Sequence, residues 1–181
     1  MWHLRTVPAE YSGTVVEKGT VLRSEEVTLT FLRTAAETGG EAHEQRAEYS
    51  PGSPFPPLHS HPRQEETFTV ESGDLVFEVE GVITVLGAGD VLRIPAGATH
   101  RARNASSEEP AVARWETRPA LRTGEFFVTA HHLPASAGPL VLARLAHEYR
   151  DVFRMAGPAA LAVPVLGRLA RILGRRLPVP G

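Results

Sequence analysis

Gly52-SPFPPL-His59-S-His61-PRQE-Glu66-TFTVES-Gly73 is the stretch on which the reading of this chain turns. Its proline- and glycine-rich start ends any earlier strand ladder. Side chains alternate faces along an extended strand, so His59 and His61 point the same way and Ser60 points the other. After Glu66 the chain alternates again, with Glu66, Phe68 and Val70 on one face and Thr67 and Thr69 on the other. Further on, Gly89-DVLRI-Pro95-Ala-Gly97-AT-His100-RAR-Asn104 brings a third imidazole from another strand. Two imidazoles on one inner face, a nearby carboxylate and a third imidazole make a four-ligand nitrogen and oxygen site. Such a set suits one first-row divalent transition metal; calcium and magnesium prefer shells of oxygen alone.

The sequence around these stretches reads as short strands broken by turns. Val27, Leu29 and Phe31 alternate with Thr28, Thr30 and Leu32, and residues 41–49 continue extended. Leu75, Phe77 and Val79 form another alternating set, followed by residues 82–86 and 91–94. Gly73, Gly81, Gly89 and Gly97 fall where the chain must reverse, and glycine reaches positive φ at little steric cost. Short strands at regular spacing with glycine and proline turns predict a mainly β protein, an antiparallel sandwich or jelly roll. The pocket around the metal is expected to be apolar, with Phe68, Val70, Phe77 and Val79 inward. Asn104 is expected to face inward and satisfy buried backbone groups.

The two stretches resemble the paired signature motifs of the cupin superfamily. The second matches that pattern at every fixed position, and the first departs once, with six residues rather than five between Gly52 and His59. The resemblance covers roughly residues 27–118. It implies a cupin jelly-roll β-barrel over 27–118, an N-terminal arm over 1–26 and a C-terminal α-helical extension over 119–181. It also implies His59, His61, Glu66 and His100 as the metal ligands. Glu65 competes for the carboxylate role, but Glu66 keeps the family's six-residue gap to Gly73 and shares strand parity with Phe68 and Val70. The junction WETRPAL (115–121), followed by Glu125-Phe-Phe and a helical tail, resembles a bacterial subgroup of single-domain cupins. That likeness fixes no substrate. A homodimer is also implied.

Composition narrows the function classes. A formal net charge of −2 over 181 residues gives no basic field for nucleic acid. There is no cysteine, which excludes disulfides, zinc–thiolate sites and thiol nucleophiles. The first residues lack the basic-then-apolar pattern of a secretory signal, and no stretch is apolar enough to span a membrane, so a cytoplasmic protein is expected. His3, His43, His131, His132 and His147 lack comparable partners and are read as structural. Residues 122–127 are read as a short helix or an extended segment. From Pro139 the pattern is helical, with Leu142, Leu145, Tyr149, Val152 and Phe153 near one stripe and an end at Gly157-Pro158. A second helix, carrying Leu161, Val165, Leu166, Leu169, Ile172 and Leu173, is kinked at Pro164 and made basic by Arg168, Arg171, Arg175 and Arg176. This tail is expected to pack against the barrel or between subunits rather than on a membrane.

Three functions follow from a metal with open coordination positions and an apolar pocket. The first is a non-haem iron(II) oxygenase acting on a small organic molecule. The second is a redox-neutral isomerase, cyclase or lyase using manganese, nickel or zinc. The third is a non-catalytic small-molecule-binding barrel.

Overall fold

The computed structural model describes residues 16–178, so His3 and most of the expected N-terminal arm lie outside the described residues. Ten strands come first: β1 (Val21–Arg23), β2 (Val27–Arg33), β3 (His43–Tyr49), β4 (His59–Ser60), β5 (Glu65–Ser72), β6 (Leu75–Val79), β7 (Val82–Leu86), β8 (Val91–Ile94), β9 (His100–Asn104) and β10 (Ala111–Arg118). They form two antiparallel sheets, one ordered β1-β2-β3-β10-β5-β8. The other runs β4-β9-β6-β7 and gains a late strand, β11 (Arg154–Met155), beside β4. Helices α1 (Thr123–His131), α2 (Pro139–Glu148) and α3 (Val163–Ile172) make up the C-terminal extension.

The alternation read from the sequence becomes the core. Glu66, Phe68 and Val70 of β5 turn inward, with Thr67 and Thr69 less buried between them. Phe68 and Val70 pack with Leu75, Phe77, Ile94, Ala102, Ala111 and Ala113. A second cluster joins Leu22, Leu29, Phe31 and Ala47 to Val128 of α1, which fastens the extension to the barrel. Gly73 has φ 67°, and a Cβ there would lie 2.8 Å from the carbonyl oxygen of Pro110, so both the turn and the close backbone approach require glycine. Asn104 is fully buried and satisfies backbone as expected. Its amide donates to the carbonyls of Glu109 (2.8 Å), Tyr49 (3.2 Å) and Ser50 (3.3 Å), and its side-chain oxygen accepts from the Ser106 N–H.

Several expectations for the extension change. Residues 123–131 are helical, the first of the two forms expected from residue 122, and His131 and His132 sit at the end of α1. α2 stops at Glu148, well short of Gly157, because the chain beyond it leaves the helix to pair as β11 with β4, Met155 opposite His59. Val152 and Phe153 therefore lie outside the helix whose stripe they were expected to complete. Pro164 lies in the first turn of α3, where its missing N–H has no intrahelical partner to lose, so it starts the helix instead of kinking it. The apolar stripe of α3 is exposed rather than packed on the barrel. β7 likewise keeps its apolar residues outside, with Val82 65% and Ile83 64% exposed at the edge of its sheet.

His43 gives the fold a pH dependence. Its ring is buried edge-on to Phe31 at 4.6 Å and lies 3.3 Å from the Gln45 side-chain oxygen. Burial lowers its pKa to about 4, with Gln45 opposing. In the unfolded chain the same imidazole takes its proton near pH 6.5. Native stability is therefore full above pH 6.5 and declines as the pH falls toward about 4, by up to about 3 kcal/mol from this residue. Urea midpoints measured across that interval should drop, and His43→Leu should flatten part of the slope. An unchanged slope in the variant would refute the assignment.

Candidate metal centre

Strand pairing brings the three histidines together. His59 on β4 lies directly opposite His100 on β9, and His61 follows one residue beyond β4. The Gly97 N–H, at φ 86°, donates to the His61 carbonyl at 2.8 Å and so ties the second motif to the first. Ring centroids are 4.6 Å apart for His59 and His100 and 5.2 Å for each remaining pair. One nitrogen from each ring falls within 4.8 Å of the others, a cluster able to hold a metal ion.

The backbone sets the tautomers. His59 Nδ1 is 2.8 Å from the Pro57 carbonyl, His61 Nδ1 is 2.7 Å from that of Val152, and His100 Nδ1 is 3.0 Å from that of Ala98. A carbonyl can only accept, so each Nδ1 carries a proton and each Nε2 faces the centre, where its lone pair can serve a metal once any second proton is released.

Glu66 sits among these nitrogens at 1% exposure. Its Oε1 accepts from the Trp115 indole at 2.9 Å and lies 3.2 Å from His61 Nε2, while Oε2 is 2.9 Å from His100 Nε2. Burial pushes the Glu66 carboxyl up, but the fields of His61, His100 and His59 outweigh it and hold the group below its ordinary value. For His100, burial opposes the charged form and the hydrogen bond and charge of Glu66 outweigh it, raising its pKa. Burial, with His100 and His61 nearby, brings His59 down to about 4. The angles of approach leave His61 Nε2 and Glu66 Oε2 without a well-formed hydrogen bond, although both atoms are buried. These two buried polar atoms lie beside the three-histidine group, and nitrogen and oxygen atoms of this kind suit a divalent transition metal. Glu65 faces the other way, 3.7 Å from Arg93.

The cluster opens into a cavity of about 470 Å³ lined by Phe68, Tyr49, Trp115, Phe55, Phe126, Phe127 and Phe153. Of the residues expected on its wall, Phe68 is present, whereas Val70 and Phe77 are buried in the barrel core and Val79 packs against it. The extension supplies much of the remainder. Phe153 stacks on His59 at 4.9 Å and on Phe126 at 5.1 Å, and Phe126 meets Tyr149 at 5.6 Å. Gln64 links the motif to the same region, donating to the carbonyls of Pro119 (2.8 Å) and Ala120 (3.1 Å) and to the Thr123 hydroxyl (2.8 Å). Sequence reasoning missed Trp115, Phe126, Phe153 and the Val152 carbonyl. The signal for Trp115 was its parity with Thr117 on β10, where Thr117 pairs with Glu66 and Trp115 with Phe68. The others depend on tertiary packing.

Protein purified without chelator should carry near-stoichiometric divalent metal. His59→Ala and Glu66→Gln should each lower the metal affinity by about tenfold or more, and Glu65→Gln should leave it unchanged. Elemental analysis checks this, and loss in Glu65→Gln with retention in Glu66→Gln would overturn the choice of carboxylate. Because protons compete for the same lone pairs, retained metal should fall as the pH is lowered toward about 4, where His59 takes up its proton.

Residues 45–115 match the family model for the cupin domain. No curated protein matches the sequence. Among solved structures, an RmlC-like cupin from Shewanella frigidimarina superposes with a TM-score of 0.50 at 20% identity, covering 62% of this chain and 94% of that one. A predicted oxalate decarboxylase from Thermotoga maritima gives 0.51 at 22% identity, covering 59% and 99%. At such identities the likeness is one of fold. Residues 45–115 therefore form a cupin domain, and the helical extension lies C-terminal to it.

Proposed function

We propose that this cupin is a metal-dependent oxygenase acting on a small, largely apolar organic molecule, with His59, His61, Glu66 and His100 holding one divalent transition metal, iron(II) ahead of manganese, nickel or zinc. The observation that carries the reading is the set of three imidazoles whose Nδ1 atoms are committed to backbone carbonyls, lying with a buried carboxylate beside an aromatic cavity. When bound, such a metal supplies Lewis acidity and, as iron(II), one-electron redox chemistry. The chain's own contribution is to orient the ligands, exclude water with Phe68, Trp115, Phe126 and Phe153, and select flat apolar substrates by shape.

The cavity's acid–base inventory favours metal-centred chemistry over proton abstraction. Burial, reinforced by the Glu66 charge, raises the Tyr49 hydroxyl well above its ordinary range, so it can donate a hydrogen bond but does not act as a phenolate base. Glu26 also lines the cavity and is exposed. A redox-neutral isomerase, cyclase or lyase would therefore rely on Glu26, and a small-molecule binder on none of these groups. A homodimer belongs to the same proposal, and the exposed apolar edge strand β7 supports it as the seat of the contact.

Protein loaded anaerobically with iron(II) should consume oxygen when given enol- or catechol-type compounds, and His100→Ala should abolish uptake. Trp115, on the cavity wall, provides an independent binding signal through its fluorescence, with Trp115→Phe as the control. Turnover without oxygen uptake that Glu26→Gln removes would replace this reading with the redox-neutral one. Quenching without turnover would leave a binder.

A further inference from the structure

After Asp151 the chain contains no acidic residue and five arginines, Arg154, Arg168, Arg171, Arg175 and Arg176. Arg168 and Arg171 lie in α3, whose seating decides where they point, and Arg175 and Arg176 lie just beyond its end. Gly167 and Ala170 are buried against α2, and a Cβ on Gly167 would come within 2.4 Å of the His147 Cβ and 2.7 Å of the Ala143 carbonyl oxygen. The two helices thus meet nearly backbone to backbone, and the rotation of α3 is fixed by its smallest residues. That rotation turns the large apolar side chains outward. Val165 is 68% exposed and Ile172 78%, with Leu161, Leu169 and Leu173 exposed beside them.

At about 100° per residue, Arg168 and Arg171 fall on the arc between the buried edge and this apolar stripe, and Arg175 and Arg176 follow just beyond the end of the helix. Among the described residues none of Arg168, Arg171, Arg175 or Arg176 has an ion-pair partner. The field is felt at the helix contact: His147 is lowered by burial and then by Arg150, Arg168, Arg171 and Arg144.

An exposed apolar stripe beside unpaired cations has few complementary surfaces. A second copy packing α3 against α3 would bring arginines together with no acidic residue after Asp151 to separate them. No helix among the described residues is long and apolar enough to cross a membrane. A helix lying flat in the interface, with its stripe among acyl chains and its arginines level with the phosphates, satisfies both features at once. We propose that α3 docks this protein on an anionic lipid surface, through Val165, Leu169 and Ile172, Leu161 of the turn before the helix, and the flanking arginines.

The whole chain is incubated with vesicles of phosphatidylcholine alone or of phosphatidylcholine with an equal share of phosphatidylserine, and the sedimenting fraction is measured. Binding is expected on the anionic vesicles, weakening as salt is added. Arg171→Gln should weaken it by about fivefold, and Arg171→Gln with Arg175→Gln by the square of that factor. Val165→Asn and Ile172→Asn replace exposed side chains, so the fold should survive, as the metal content and circular dichroism of each variant will check, while vesicle binding is lost. Failure to sediment, equal sedimentation on neutral vesicles, or a dimer in light scattering that Ile172→Asn dissociates would each overturn the proposal. These outcomes do not depend on whether the cavity is catalytic.

Discussion

A carboxylate placed in the middle of an apolar barrel is the constraint around which this protein is arranged. Removing an ion from water costs several kcal/mol unless partners replace the lost hydration. Glu66 is almost wholly buried, and the barrel answers with the Trp115 indole on one oxygen and the nitrogens of His61 and His100 around both. Those partners come from β10, the end of β4 and β9, so the charge is satisfied only when both sheets are assembled. The histidines are in turn oriented by carbonyls of Pro57, Ala98 and Val152, two local and one distant. His61 Nε2 and Glu66 Oε2 stay buried without a good hydrogen bond, beside a group of three histidines that could hold a cation.

The extension belongs to the site as much as the barrel does. Val152 lends its carbonyl to His61, and Phe153 covers His59. Both are held by a cluster in which Phe126, Leu145, Tyr149 and Val152 pack together, closed by a hydrogen bond between Thr129 and Tyr149 at 2.8 Å. Gln64 and β11 add two further attachments between the motif and the helices. The cavity is thus shaped by an accessory element on a common fold, which is where substrate selection resides when one scaffold serves many chemistries.

How far the sequence could be read follows from the range of each interaction. The strand at Glu66, Phe68 and Val70 was legible because alternation is a property of neighbours, and the turn glycines because positive φ is local. Asn104 was placed inward by parity from His100 and does satisfy backbone, as expected. The extension was read less well. The helix expected to run to Gly157 stops at Glu148, since hydrophobic periodicity does not reveal that Val152 and Phe153 are wanted in a loop over His59. The stripe on α3 was legible as a stripe, but which face turns inward was set by the contact of Gly167 and Ala170 with α2.

By itself, then, the sequence determined the strand pattern, the jelly-roll class and the grouping of His59, His61 and His100, because each rests on spacing along one strand or on motifs a strand apart. Tertiary structure alone decided that the indole of Trp115 meets Glu66, that a carbonyl from the extension orients His61, that Phe126 and Phe153 wall the cavity, and that the apolar face of α3 looks outward. Those contacts join residues far apart in the chain. Their formation depends on which surfaces remain to be buried once both sheets and α2 are in place.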